Sequence, residues 1–384
     1  MNRLKKRLLL FTVAALTVGT TAISATVDQL KYYNALQFRM INKPFADSKT
    51  PFFRLPAAIN DTVRDGLRVD GEMSAGLAVR FATNATAIGV KYELTLNFKM
   101  SHMAYTGIKG TDLYVLDGDR WQFVNCSKPA DAKEQNRVYV SNMEPVMREY
   151  MIYLPLYDGI KSIEIGVDSA ATITQPMVDN PRSDRKIVFY GTSVTQGGCA
   201  SRPGMLGTSI IQRDLNAEVV NLGFSGEGRM DPFMAEAMAR IPGVTAYVID
   251  AVANCSHQRL DTIAETFVNI LRQARPDVPI FLAERHQFTN EHYDTVEHAN
   301  FIKANTILHR HYMALRKQNP KNLYYIDHSE VFGPDNEGAV DGAHLTDLGF
   351  FYYAHKFEPY LKAVLNGKKI PNQKHVNSDR YIVK

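Results

Sequence analysis

Four short segments in the second half of the chain hold the residue types that acyl transfer requires. They are Gly191-Thr192-Ser193-Val194-Thr195-Gln196-Gly197-Gly198, Asn221-Leu222-Gly223-Phe224-Ser225-Gly226-Glu227-Gly228, Asp250-Ala251-Val252-Ala253-Asn254-Cys255 and Asp341-Gly342-Ala343-His344-Leu345-Thr346. A serine hydroxyl is a weak nucleophile until a base removes its proton, and an imidazole suits that task near neutrality. The base works best when a carboxylate fixes its tautomer and stabilises the imidazolium. Asp341 and His344 are spaced to share one turn or helix start. The oxyanion that develops needs donors, and Ser193 N–H, Gly226 N–H and the Asn254 amide can supply them. These residues form a complete set for serine esterase chemistry.

Each segment also has a plainer reading. Gly-Thr-Ser after a strand can be a simple helix entry or a phosphate cradle. The second segment resembles a loosened dinucleotide loop but lacks the G-x-G-x-x-G spacing. Asp-x-x-His is often an N-cap with a surface histidine, and Asn254 can cap the next helix. Ser225 is a second candidate nucleophile, although it lies on the segment assigned to oxyanion donation. The four segments occur at strand ends, in order, within one domain, and that favours the chemical reading.

The elements that must position them are legible as apolar runs. KIVFY (186–190), EVVNL (218–222), AYVIDA (246–251), PIFLA (279–283) and LYYI (323–326) alternate with helical stretches. The clearest helix is 258–275, with Leu260, Ile263, Phe267, Ile270, Leu271 and Ala274 on one face and Pro276 at its exit. Alternating strands and helices imply a parallel sheet covered on both faces, with its ligand crevice beyond the carboxyl ends of the strands. This domain is expected over 185–368, followed by a tail at 369–384.

Upstream, residues 28–175 show the two-residue period of half-buried strands, so an antiparallel sandwich or jelly roll is expected. Ile88, Val90, Tyr92, Leu94, Leu96 and Phe98 alternate with Gly89, Lys91, Glu93, Thr95, Asn97 and Lys99. Asp117-Gly118-Asp119 and Asp158-Gly159 read as hairpin turns. Residues 176–184, polar and containing Pro176 and Pro181, read as a linker.

The first 25 residues read as an export signal, with Arg3 to Arg7 basic, Leu8 to Val18 apolar, and small residues up to Ala25. Export to the periplasm or outside the cell is therefore expected. Lys plus Arg total 44 against 40 Asp plus Glu, and the four basic residues of that segment account for the excess. A balanced mature chain gives no footprint for nucleic acid or a membrane surface. Cys126, Cys199 and Cys255 are the three cysteines. A bridge between Cys199 and Cys255 is conceivable, and small buried thiols are the plainer reading. His292, His298, His309 and His311 lack zinc-ligand spacing and read as surface or cap residues. Asp112, Tyr114, Trp121 and Tyr105 could line the site or a sugar-binding face, with hairpin packing favoured for Tyr114 and Trp121.

In order and spacing, the four segments resemble the Ser, Gly, Asn and His blocks of the SGNH/GDSL hydrolases. The first reads GTS where many members have GDS, and Cys255 follows Asn254 where many have Asp. Gly110-Thr111-Asp112-Leu113-Tyr114 resembles the G-x-D-L-Y signature of a β-rich domain that precedes such esterases in secreted bacterial proteins. The resemblance implies a flavodoxin-like α/β domain behind a β-domain. It also implies Ser193, Asp341 and His344 as catalytic residues, Ser193, Gly226 and Asn254 as the oxyanion hole, and no metal or organic cofactor. An O-acetylated carbohydrate is the implied substrate. A lipid or thioester hydrolase or acyltransferase using the same residues, and a non-catalytic glycan-binding protein, are the other readings.

Overall fold

A computed structural model describes residues 24–179, 181–328 and 330–371. The export-signal segment up to residue 23 and the tail from 372 lie outside the described residues. No helix among the described residues is long and apolar enough to cross a membrane.

The first part is a two-sheet antiparallel sandwich. Strands β1 (Lys31–Asn34), β2 (Arg39–Ile41), β3 (Ala78–Thr83), β4 (Ile88–Leu94), β5 (Asp112–Asp117), β6 (Arg120–Cys126), β7 (Glu134–Val140), β8 (Arg148–Tyr153), β9 (Ile160–Val167) and β10 (Ile173–Thr174) build it. One sheet has the order β1-β9-β4-β7, and the other β10-β3-β8-β5-β6 with β2 on β3. Their inner faces meet in a core that includes Phe81, Val90, Leu113, Ile152 and Ile165. The alternation of β4 places Val90, Tyr92 and Leu94 in that core and leaves Lys91 and Glu93 partly exposed.

Two expectations fail here, both at Asp158. Strand β4 stops at Leu94 rather than running on to Phe98, because Asp158 accepts hydrogen bonds from the N–H groups of Leu96 (2.9 Å) and Phe98 (2.8 Å). Asp158-Gly159 is not a hairpin turn either. Strand β8 pairs with β3 and β5 while β9 pairs with β1 and β4, so this segment crosses between the sheets.

Residues 42–76 differ from the alternating pattern expected over 28–175. They carry the short helices α1 (Ala57–Asn60) and α2 (Asp65–Glu72), and Phe45, Leu55 and Leu67 join the core of the second part instead of the sandwich. A third short helix, α3 (Tyr105–Ile108), precedes β5.

The second part is a parallel five-stranded sheet, order β12-β11-β13-β14-β15, from β11 (Arg182–Gly191), β12 (Ala217–Gly223), β13 (Val244–Asp250), β14 (Ile280–Ala283) and β15 (Leu323–Ile326). Counted within this part the order is 2-1-3-4-5, the flavodoxin-like arrangement. Helices α4 (Ser193–Gln196), α5 (Gly207–Leu215), α6 (Pro232–Ala239), α7 (His257–Ala274), α8 (Thr295–Gln318) and α9 (Asp347–Leu365) follow the strands. Separate apolar clusters fill the two faces, one containing Phe267 and Leu308 and the other Ile210 and Phe357. Strand β11 starts at Arg182, so the last residues of the expected linker already belong to the sheet.

The D-L-Y residues join the two parts. Leu113 points into the sandwich core, so its neighbours point outward, and buried Asp112 accepts from Arg202 Nη1 and Gly204 N–H, both at 2.8 Å. Tyr114 accepts from the same guanidinium at 2.7 Å. The motif is an inter-domain clamp. Trp121 packs in a small cluster with Tyr114 and Tyr153, and Tyr105 lies under the Lys109 ammonium.

Candidate active site

Strand β11 ends at Gly191, and Ser193 opens α4 at the carboxyl edge of the sheet. Its Oγ lies 2.9 Å from His344 Nε2. His344 Nδ1 lies 2.8 Å from Asp341 Oδ2, so the ring proton sits on Nδ1 and the lone pair on Nε2 faces the serine. Asp341 Oδ1 also accepts from the N–H groups of Ala343 (3.0 Å) and His344 (2.8 Å). Burial pulls the Asp341 pKa upward, but the bonds from the His344 ring and these two amides prevail and hold it at about 2.

The turn carrying the pair is fixed from two sides. Val340 N–H donates to His344 C=O at 2.8 Å. Buried His286, just past β14, donates from Nε2 to Ala343 C=O at 3.0 Å, and burial lowers its pKa to about 4. His286 was not singled out in the sequence, although a polar Glu284-Arg285-His286 run directly after a buried strand is a strand-end signal of the same kind. Gly198 supplies clearance. A Cβ there would lie 2.9 Å from His344 Cδ2.

The second and third segments meet beside Ser193. Gly226 sits at φ +72°, where a Cβ would be strained, and is exposed with open space around it. Its N–H makes no hydrogen bond to another described residue. The Asn254 amide donates to Phe224 C=O at 3.3 Å, which ties it to the Gly226 loop. That loop is braced by the segment that leaves the sandwich. Fully buried Arg54 donates to Gly223 C=O (2.7 Å) and stacks on the Phe224 ring, and Arg64 binds Glu227 and Asp231.

Ser225 makes no hydrogen bond to His344, whose Nε2 faces Ser193. The Ser225 N–H donates to Gln196 Oε1 at 2.8 Å, and its hydroxyl interacts with Tyr157. Tyr157, from the β8–β9 crossover, reaches the Ser193 carbonyl at 3.4 Å. His102, exposed on the loop that Asp158 holds, lies ring to ring with His344 at 5.7 Å between centroids. Neither was legible in the sequence, because both arrive from the other domain.

All three cysteines are free, which answers the question of a Cys199–Cys255 bridge. His292 and His298 are exposed. His311 differs from the surface or cap role expected of it. It bridges α8 to α7 through Glu265 and Asp261, each at 2.8 Å, and His309 packs edge-on against Tyr325.

A model of the GDSL-like lipase/acylhydrolase family matches residues 184–362, and a model described as the N-terminus of Esterase_SGNH_hydro-type matches residues 30–173. A Bacteroides ovatus protein classed with the GDSL-like lipases is 33% identical, with 89% of this chain and 100% of that one covered at a TM-score of 0.83. The chain belongs to the GDSL-like lipase/acylhydrolase family. As a family member it is a carboxylic ester hydrolase. More distant solved structures share the fold. The salicylyl-acyltransferase SsfX3 from a tetracycline biosynthetic pathway is 17% identical, covering 90% of this chain and 97% of its own (TM-score 0.64). An acetyl xylan esterase, Est2A, from the rumen bacterium Butyrivibrio proteoclasticus is 11% identical, covering 88% and 99% (TM-score 0.56). No curated protein matches.

Proposed function

We propose that this GDSL-family hydrolase is an exported serine esterase that removes acetyl groups from O-acetylated carbohydrate through an acyl-enzyme. The observation that carries the reading is the unbroken chain Ser193 Oγ, His344, Asp341, with contacts of 2.9 and 2.8 Å. Ser193 attacks the ester carbonyl as His344 Nε2 takes its proton, and Asp341 stabilises the imidazolium. The new oxyanion is received by Ser193 N–H, Gly226 N–H and the Asn254 amide, each such donor being worth about 10²–10³ in turnover. His344 then protonates the departing alcohol, and water repeats the cycle to release the acid. None of these steps calls for a metal or organic cofactor.

Acetate and carbohydrate are the narrower part of the reading. They rest on the resemblance of both domains to secreted esterases and on the export-signal pattern of the first 25 residues. The likeness to a salicylyl-acyltransferase favours one rival, transfer of the acyl group to an acceptor other than water. The test is acid release from p-nitrophenyl acetate, butyrate and octanoate and from acetylated xylan, by the wild type and Ser193→Ala. Acetate-selective release that vanishes in the variant supports the proposal. A maximum at octanoate moves the substrate to lipids, and ester consumption without stoichiometric free acid moves the reaction to acyl transfer.

A further inference from the structure

Beside the Ser193–His344 contact lies a group of donors that the esterase cycle does not use together. His102, Cys199, Asp341 and His344 each offer one ligand atom, and these atoms all lie within 4.8 Å of one another. The set draws on three separate stretches of chain. His102 comes from the sandwich domain, Cys199 from the loop after α4, and Asp341 and His344 from the loop before α9.

We propose that these side chains form an inhibitory site for a zinc-type divalent ion, which His102, Cys199 and His344 ligate with the Asp341 carboxylate beside it. Two imidazoles, a thiolate and a carboxylate are the donor classes zinc takes. A tetrahedral site with Zn–N near about 2.0–2.1 Å and Zn–S near about 2.3 Å needs its donors to close in modestly from their present spacing. His102 is exposed and can make that adjustment, and it leaves a path from solvent. Cys199 is 8% exposed and held at φ +73°, a left-handed conformation that a non-glycine residue adopts at a cost, and it follows Gly198, where a Cβ would lie 2.9 Å from His344 Cδ2.

On binding, the Cys199 S–H bond breaks, the proton goes to solvent and an S–Zn bond forms, with no change of oxidation state. His344 gives the lone pair of one ring nitrogen to the ion, the other nitrogen keeps the ring proton, and the Asp341–His344–Ser193 chain of contacts is broken. The ion therefore removes the general base, and the enzyme is off until a chelator or a competing ligand withdraws the metal. The inhibitory half of this proposal rests on the esterase reading above. The binding half does not.

The test uses the full chain freed of metal. Zn²⁺ is titrated against p-nitrophenyl acetate turnover, and Co²⁺ is titrated in parallel for thiolate-to-cobalt charge-transfer absorption, which needs no activity. Expected are one ion per chain, inhibition reversed by EDTA, and at least tenfold weaker Zn²⁺ inhibition in His102→Asn and in Cys199→Ser, each compared with its own metal-free rate. Ser193→Ala should bind Co²⁺ with the thiolate band intact, which separates the metal site from the esterase reading. His102→Asn alters an exposed side chain, so it remains a fair test if Cys199→Ser fails to fold. Inhibition unchanged in His102→Asn, or Co²⁺ binding without a thiolate band, overturns the proposal.

Discussion

Asp341 and Asp250 stand at the same edge of the parallel sheet, and their surroundings drive them in opposite directions. Asp341 is partly exposed and accepts from one ring N–H and two backbone amides, which hold its pKa at about 2. Asp250, at the end of β13, is buried and accepts from the Thr195 hydroxyl (3.2 Å) and the Tyr353 hydroxyl (3.0 Å). Burial outweighs those two neutral donors and raises its pKa to about 7. His328, 3.6 Å from Asp250, is kept neutral by burial, its pKa lowered to about 3, so it offers no countercharge. A carboxylate proposed to answer an imidazolium is kept ionised. One that only ties α4 to α9 carries no such requirement. Proximity to the nucleophile does not assign a role; the donors around the group do.

Removing the charge of Asp341 should have the largest effect. Asp341→Asn is expected to lower kcat by about 10⁴ through loss of the correct His344 tautomer, with the fold retained. Because the carboxyl stays ionised down to about pH 2, the wild-type activity should show no limb from its protonation between pH 4 and 6. A pH–rate profile checks both points.

Next in size is steric displacement of the imidazole. Gly198→Val sets a side chain where a Cβ already lies 2.9 Å from His344 Cδ2, and kcat should fall about 10²-fold. Stability should change less than activity, as chemical denaturation beside single-turnover rates would show.

A third aspartate sharpens the contrast. Asp112 is buried like Asp250, but it faces the Arg202 guanidinium; burial still raises its pKa, to about 6, against the pull of that charge. Asp112→Asn should weaken the inter-domain clamp by roughly 1.5–3 kcal/mol, the range for hydrogen bonds to charged groups, and leave kcat near wild type. Urea unfolding measures the first and acetate release the second.

The smallest effect belongs to Asp250. Its folded pKa is raised, so the stability it contributes is full below its unfolded value near about 4. That contribution is lost as pH rises through about 7. Asp250→Asn should flatten the fall of stability between about pH 4 and 7 and change turnover only a few-fold. Identical slopes in variant and wild type would remove the distinction between the two carboxylates.

How far the sequence reached follows the same division. The meeting of Ser193, Asp341 and His344 was legible because each sits in a local pattern at a strand end, and the five apolar runs place those ends on one edge. The role of Asp250 was not legible, since its partners Thr195 and Tyr353 come from distant helices. Nor was the brace at 42–76, whose Arg54 spends its donors on carbonyls of the α/β part and its own segment. A charged residue embedded in Phe52-Phe53-Arg54-Leu55 was the one sign that this stretch leaves the sandwich pattern. The Asp158 crossover misled because Asp-Gly marks a turn without saying which strands it joins.

The central claim is that Ser193 carries the acyl group. Rapid acid quench of the wild type during turnover of p-nitrophenyl acetate, followed by intact mass and peptide mapping, tests it most directly. The account predicts a mass gain of one acetyl group located on Ser193, absent in Ser193→Ala and longer-lived when His344 is replaced by Gln. An acetyl group on Ser225, or full turnover by Ser193→Ala, would contradict it.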